Sequence, residues 1–214
     1  TLSYLPKCTN LLSDDDQKMT SRLHQKLFAM YGPWKKVLAE ARIYGAAGFL
    51  RATAGTLAFH LGWSGRFRNP DQKRIALLTF SINPVFARVW AHFARQFTDP
   101  DLVDIFLIDS SGNLKQDELP GITVCHYLNF NHAIKIDRYI KKLNYPYIWL
   151  CDDDIFLTDH SPMQAVVSRL EAVRLFAISL YPRAQKLKSA GMEQPAMGTY
   201  CVCVNRRVFR QERL

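Results

Sequence analysis

The chain contains neither G-x-G-x-x-G nor G-x-x-x-x-G-K-[ST], the glycine patterns that bring backbone N–H groups against a pyrophosphate or a triphosphate. Their absence argues against a dinucleotide cofactor and against a P-loop nucleotidase. No apolar run reaches the ~18 to 20 residues of a membrane-spanning helix, and no basic, apolar, small-residue series marks a secretory leader. C-x-x-C spacing is also missing. The five cysteines (Cys8, Cys125, Cys151, Cys201, Cys203) are odd in number. Four of them fall in strand-like runs, which speaks for free, buried thiols in a reducing, cytoplasmic setting. Cys201 and Cys203 share one strand face and are expected in the core rather than on zinc.

Negative charge is scarce: 19 acids stand against 28 bases, a formal net charge of +9. The imbalance concentrates in residues 17–68, where nine Lys and Arg meet the single acid Glu40. Such a segment favours an anionic partner, and peripheral contact with the inner face of a membrane through residues 17–68 is one expectation. Nucleic acid is not expected, because Trp34, Phe49, Phe59, Trp63 and Phe67 are not interleaved with basic residues as a stacking platform requires.

What the chain does have is the stretch Tyr147 to Thr158, Y-I-W-L-C-D-D-D-I-F-L-T. Ile148 to Cys151 form a continuous apolar run, the pattern of a strand buried on both faces. Asp152, Asp153 and Asp154 follow at once. Adjacent carboxylates at the end of a buried strand need a compensating cation or solvent. Alternation along an extended chain would aim Asp152 and Asp154 to one side and Asp153 to the other. Two oxygen donors on one side suit Mn2+ or Mg2+. A solvated acidic turn is the plainer alternative, and the return of apolar residues at Ile155 argues against it.

Residues 1–72 read as a helical, basic, loosely attached extension. A helix is expected after Ser13, ending at Gly32-Pro33, and a second from Trp34. The stretch from Ile43 to Trp63 carries a weak stripe at Leu50, Ala54, Leu57 and Leu61, diluted by Gly45, Gly48, Gly55 and Gly62. From about residue 73, strands and helices alternate. Ile75 to Phe80 is a buried strand, Asn83 an N-cap and Pro84 the first residue of a helix whose apolar face is Val85, Val89, Phe93 and Phe97. Strands follow at 103–108 and 122–128. Next comes a helix with Ala133, Ile136, Ile140 and Leu143 inward and Lys135, Asp137, Arg138, Lys141 and Lys142 outward. After the acidic strand, Ser161-Pro162-Met163-Gln164 reads as a capping box, opening a helix that packs Met163, Val166, Val167 and Leu170. Further strands are expected at 175–180 and 200–204. This order predicts an α/β fold, a mostly parallel sheet flanked by helices. Ligands of such sheets bind outside the carboxyl ends of the strands, where the chain places Thr79, Ser81 and Asn83, then Asp109, Ser110 and Ser111, then Asn129 and Asn131, then the three Asp.

These pieces together resemble the nucleotide-binding half of a GT-A (Rossmann-like) glycosyltransferase, glycosyltransferase family 2 in particular. The likeness rests on Leu78-Thr79-Phe80-Ser81-Ile82-Asn83, on Asp109-Ser110-Ser111, on the turn from Asn129 to Ala133, on the D-x-D of Asp152 and Asp154, and on Met197 to Phe209. It covers about residues 73–210. It implies a nucleotide-sugar donor held by Thr79, Ser81, Asn83, Asp109, Ser110, Asp152 and Asp153, with Asp109 at the base. Asp152 would meet the ribose or the metal, and Asp154 would be the firmest ligand to Mn2+ or Mg2+. It also implies a glycan or lipid-linked acceptor, in glycan or cell-envelope polysaccharide synthesis. Such an enzyme needs a carboxylate base. None is assigned: Glu212 has nothing to recommend it, and the base is expected beyond Leu214, with residues 73–214 a C-terminally incomplete domain. His126, His132 and His160 are further ligand candidates, and Arg183, Lys186 and Lys188 candidate phosphate contacts.

Two other classes remain open. Asp152 and Asp154 also resemble the D-x-D loop of haloacid-dehalogenase-like phosphatases, with Asp152 as nucleophile and Ser179 as the phosphate-binding hydroxyl. A non-catalytic basic α/β binding module, with a structural metal at the acidic loop, is the other.

Overall fold

The computed structural model describes residues 34–62, 67, 69, 71–129, 132–179, 182–186, 193–197 and 201–211. The helix expected between Ser13 and Gly32 lies outside them. So do Asn131, Lys188 and Glu212. Five helices are described: α1 (Trp34–Leu61), α2 (Pro84–Phe97), α3 (His132–Lys142), α4 (Ser161–Ala172) and α5 (Arg206–Gln211). The strands are β1 (Ile75–Ser81), β2 (Val103–Asp109), β3 (Ile122–His126), β4 (Tyr147–Cys151), β5 (Ala177–Ser179), β6 (Pro182–Lys186), β7 (Glu193–Met197) and β8 (Cys201–Asn205).

Six strands form one sheet in the order β3-β2-β1-β4-β8-β5, and β6 and β7 form a separate antiparallel pair. The first four are parallel. β8 runs antiparallel between β4 and β5. The predicted α/β architecture is therefore present.

Alternate residues of the strands in the six-stranded sheet enter two cores. Leu77, Leu107, Trp149, Cys201 and Cys203 face one side with Trp90 of α2 and Met163, Val167 and Leu170 of α4. Leu78, Phe106, Ile148, Leu150 and Val202 face the other, with Phe59 of α1 and Tyr139 and Ile140 of α3. Helices on both faces explain why the strands read as unbroken apolar runs. The four cysteines of the sheet are buried, and none forms a disulfide among the described residues; Cys201 and Cys203 share a face as expected.

Three helix faces differ from expectation. In α2 the buried residues are Ala87, Trp90, Ala91 and Ala94, while Val85 is 64% exposed and Val89 is also exposed. Three alanines let the helix axis lie close to the sheet and one tryptophan fills the space beside them. Phe93 and Phe97 stack on one another, 6.3 Å between centroids, at the rim.

In α1, Gly48 and Gly55 do not dilute a packing face; they form it. A Cβ on Gly55 would lie 2.2 Å from the His126 carbonyl oxygen, and one on Gly48 would lie 2.5 Å from that of Ser111. Ala52, Thr56 and Phe59 are buried on the same side. The Thr56 hydroxyl accepts from the Leu128 N–H at 2.8 Å, and Asn113 Nδ2 donates to the Tyr44 carbonyl at 3.2 Å. This part of the chain is thus docked on the loops after β2 and β3, not loosely attached. Gly45, at φ +78°, breaks the helical path near its start.

In α3 the expected outward Lys135 is buried, whereas Ala133 is exposed. Smaller differences concern boundaries. α4 starts at Ser161 itself, with His160 before it, so the capping box is not formed at the expected register. β5 is only Ala177–Ser179, flanked by exposed Leu175 and Phe176.

Candidate functional site

The carboxyl ends of β1, β2, β3 and β4 lie side by side, and their following loops meet at one edge of the sheet. β4 ends at Cys151. Asp152 to Ile155 form a tight turn, closed by the Ile155 N–H donating to the Asp152 carbonyl at 3.1 Å. The strand alternation expected of Asp152 and Asp154 therefore does not apply, because the chain is no longer extended there.

The three carboxylates have different surroundings. Asp153 turns back to β1, where the Ser81 hydroxyl donates to its Oδ2. Burial pushes the Asp153 carboxyl up from its ordinary range, as does Asp154, while Ser81 and Lys135 pull the other way. Asp152 has no such hydroxyl. Burial, then Asp154 and Asp153, push its carboxyl up to about 6. Its Oδ1 lies 3.9 Å from His132 Nε2. Burial, then Lys135, hold the imidazole of His132 below its ordinary value, which favours its neutral form. Asp154 is exposed.

Lys135 is the residue that sequence reasoning missed. Only 2% of it is exposed, and its ammonium donates to Asn129 Oδ1 at 3.1 Å and lies 3.4 Å from the Ser110 hydroxyl oxygen. It also sits 5.3 Å from the Phe80 ring centroid. The signal was available: Lys135 is four residues before Tyr139 and eight before Leu143, both fully buried, so it lies on the inward stripe of α3. A buried ammonium is costly without anionic or polar partners. Here it stands between the loop after β2, the loop after β3 and the acidic turn.

Asp109 is also buried, but its carboxylate is used locally. Oδ1 accepts from the Ser111 N–H at 2.8 Å and its hydroxyl at 2.6 Å, and Oδ2 accepts from the Leu114 N–H at 2.9 Å. His126 Nδ1 lies 3.3 Å from Oδ2. Burial raises this carboxyl, but the nearby His126 ring and the hydrogen bonds from Ser111 and the Leu114 N–H together outweigh it and hold Asp109 below the usual carboxylate range. Its visible role is to shape the Ser110 to Leu114 loop.

Two other expected donor contacts are drawn away. Thr79 lies inside β1 with no exposed surface, its hydroxyl without a hydrogen-bond partner among the described residues. Asn83 caps α2, accepting from the Val85 N–H at 2.9 Å. The site thus gathers Ser81, Ser110, Asn129, His132, Lys135, Asp152, Asp153 and Asp154. His160 is elsewhere, against Phe97 with ring centroids 5.5 Å apart. Arg183 and Lys186 lie on β6.

A divalent ion fits this donor set in part. Asp152 and Asp154 repel each other, and a cation between them would relieve that repulsion. Among the described residues no three or more His, Cys, Asp or Glu side chains form a metal cage. The remaining ligands would have to be phosphate oxygens or water, the usual mode for Mg2+ in phosphate-bearing sites.

A cleft of about 460 Å³ lies at the opposite end of the sheet, lined by Arg74, Asn144, Tyr147, Glu171, Arg206 and Arg207. Arg74 and Tyr147 both bond Glu171 there, and Arg206 is spent on Asn144 and the Lys141 carbonyl. These bonds occupy Arg74, Tyr147, Glu171, Asn144 and Arg206, so volume does not make this cleft the functional site.

The phosphatase reading requires Ser179 beside the acidic turn. The structure puts β8 between them: Ser179 pairs with Val202, and Val202 with Leu150. Two strand spacings, about 10 Å, separate the hydroxyl's strand from β4.

No protein-family model matches the chain, and no curated protein matches it. Solved structures do. A mannosyltransferase from Pyrobaculum calidifontis, determined in complex with GDP-Man and Mn2+, aligns over 82% of this chain and 58% of its own, with 13% identity and a TM-score of 0.49. The glycosyltransferase GlyE of Streptococcus pneumoniae TIGR4 aligns over 66% of this chain and 36% of its own, with 11% identity and a TM-score of 0.38. Its apo form gives a TM-score of 0.37 over the same shares. The chain therefore spans less than two thirds of each of these glycosyltransferases.

Proposed function

We propose that the chain carries the donor site of a metal-dependent glycosyltransferase, which moves a sugar from a nucleotide-diphosphate sugar to a hydroxyl of a glycan or lipid-linked acceptor. The observation that carries this reading is the opposition, at the carboxyl ends of four parallel strands, of an acidic pair, exposed Asp154 and half-buried Asp152, and a buried ammonium. A site with carboxylates alone suits a cation, and one with an ammonium alone suits an anion. A site with both suits a metal-bound diphosphate.

In this reading Asp154 and Asp152 hold Mn2+ or Mg2+, with His132 as a neutral nitrogen donor beside Asp152. Asp153 is held by Ser81 and fixes the turn. Lys135 meets a phosphate oxygen from below, and the Ser110 to Leu114 loop, braced by Asp109, receives the nucleoside. The metal, when bound, neutralises charge developing on the diphosphate leaving group. Residues 73–214 form the donor-binding unit, with residues 1–72 a basic helical extension, and the product belongs to glycan or cell-envelope polysaccharide synthesis. No described residue is assigned as the base toward the acceptor hydroxyl.

The test is calorimetric titration of UDP, GDP and their sugar conjugates, with Mn2+, into the wild-type chain and Asp154→Ala. Binding that the substitution abolishes supports the site, and the preferred base names the donor class. A folded wild-type chain that binds none of them overturns it, and the basic binding-module reading then takes its place.

A further inference from the structure

α1 is apolar on two opposite sides. Its inner side, Gly48, Ala52, Thr56 and Phe59, is docked on the loops after β2 and β3. Its outer side carries Ala47, Leu50, Ala54, Leu57 and Leu61, spaced 3, 4, 3 and 4 residues apart and therefore aligned in one stripe. All five are exposed, with Leu50 at 66%, Leu57 at 56% and Leu61 at 57%. A helix that is apolar all round is normally covered all round. The inner cover is this protein's own sheet; the outer stripe faces outward.

Charge decides what fits it. From Ala41 through Pro70 the sequence has no Asp or Glu, while Arg42, Arg51, Arg66 and Arg68 lie in that span. Arg42 and Arg51 are exposed, and Arg51 is adjacent to the stripe. A second copy of α1 would bring two basic helices together, each with the one carboxylate of Glu40, which lies outside the span of the stripe, so the acid-free stretches from Ala41 onward would face each other without pairing. An anionic bilayer surface meets both requirements at once: acyl chains take the leucines and lipid phosphates take the arginines. No helix among the described residues is long and apolar enough to cross a membrane, so the helix would lie in the interface.

We infer that the outer stripe of α1, Ala47 to Leu61 with Arg51 at its border, is a docking surface for anionic phospholipid. The inference does not rest on the donor-site reading. Three leucines and a few arginines are a weak anchor individually, so both contributions are needed and binding is reversible.

The test is co-sedimentation of the full chain with vesicles of phosphatidylcholine alone and of phosphatidylcholine mixed with phosphatidylglycerol. Sedimentation is expected only with the mixed vesicles, falling as salt is raised. Leu50→Glu with Leu57→Glu should weaken it by about tenfold per leucine or more, with nucleotide binding unchanged. Should that pair fail to fold, Arg51→Gln serves in its place, with an expected loss of about fivefold, since each basic residue near an anionic surface contributes about that factor. Equal binding to neutral vesicles, no binding to anionic ones, or binding indifferent to these substitutions overturns the inference. A concentration-dependent dimer that Leu50→Glu with Leu57→Glu dissolves would give the stripe to a second copy and overturn it as well.

Discussion

Replacing Lys135 by Met separates a functional role for the buried ammonium from a structural one. The stem is retained and fills the same space under Phe80, while the charge and its hydrogen bonds to Asn129 and Ser110 are lost. If Lys135 serves mainly to brace the loops after β2 and β3, its loss leaves two polar partners short, at about 1 to 3 kcal/mol of stability. If it serves a bound phosphate, the free protein carries the cost of a buried charge, and an apolar substitute is neutral or stabilising. Binding then suffers instead. One ammonium–phosphate hydrogen bond at about 1.5 to 3 kcal/mol corresponds to a nucleotide-diphosphate affinity about 10 to 150 times weaker. Urea denaturation and calorimetry on the same preparation give both numbers. Lys135→Met that loses more than about 2 kcal/mol of stability but binds GDP or UDP with wild-type affinity would refute the reasoning.

The raised carboxyl of Asp152, at about 6 against 3.8 for the free group, makes a linked prediction. Between those values the folded chain holds a proton that the unfolded chain releases, so the stability associated with protonated Asp152 is present below about pH 4 and lost as pH rises through 6. Without metal, Asp152→Asn should be more stable than wild type at pH 7 by about 1 to 2 kcal/mol, after allowing for partial solvent screening, and no different at pH 4. Denaturation at the two pH values checks this. Gly55→Ala should cost about 2 to 3 kcal/mol, because its Cβ meets backbone rather than a movable side chain; thermal unfolding reads it, and a neutral result would mean that α1 is not seated as described. Asn83→Ala should cost about 1 kcal/mol through the lost cap and leave nucleotide affinity unaltered, whereas a large loss of affinity would return Asn83 to the donor site.

Much of the sheet was legible because burial on both faces writes itself as apolar runs. Ile75 to Phe80 and Ile148 to Cys151 needed no other signal, and Asn83-Pro84 marked the start of α2 through local chemistry alone. The helix faces were not legible. In α2 the bulky Val85, Val89, Phe93 and Phe97 form a stripe as regular as that of Ala87, Trp90, Ala91 and Ala94, and only the nearness of the sheet favours the smaller set. The same reason hid the inner side of α1, where Gly48 and Gly55 mark close approach. Lys135 was misplaced because charge on an amphipathic helix is read as outward, a rule that fails where the charge has work at a buried site. The direction of β8 left no trace in its residues: Cys201 to Val204 pack alike in either sense, and only the register with β4 shows that the strand is antiparallel.

The most direct test of the central claim is the coupling between metal and nucleotide on the wild-type chain. Mn2+ affinity, read by electron paramagnetic resonance of the free ion, is measured with and without GDP or UDP, and nucleotide affinity with and without Mn2+. Because Asp152 and Asp154 supply too few ligands alone, the account predicts weak Mn2+ binding by itself and tightening by at least about tenfold when the nucleotide is present, with the reciprocal tightening equal in size. Nucleotide binding of the same strength with and without Mn2+ would contradict it.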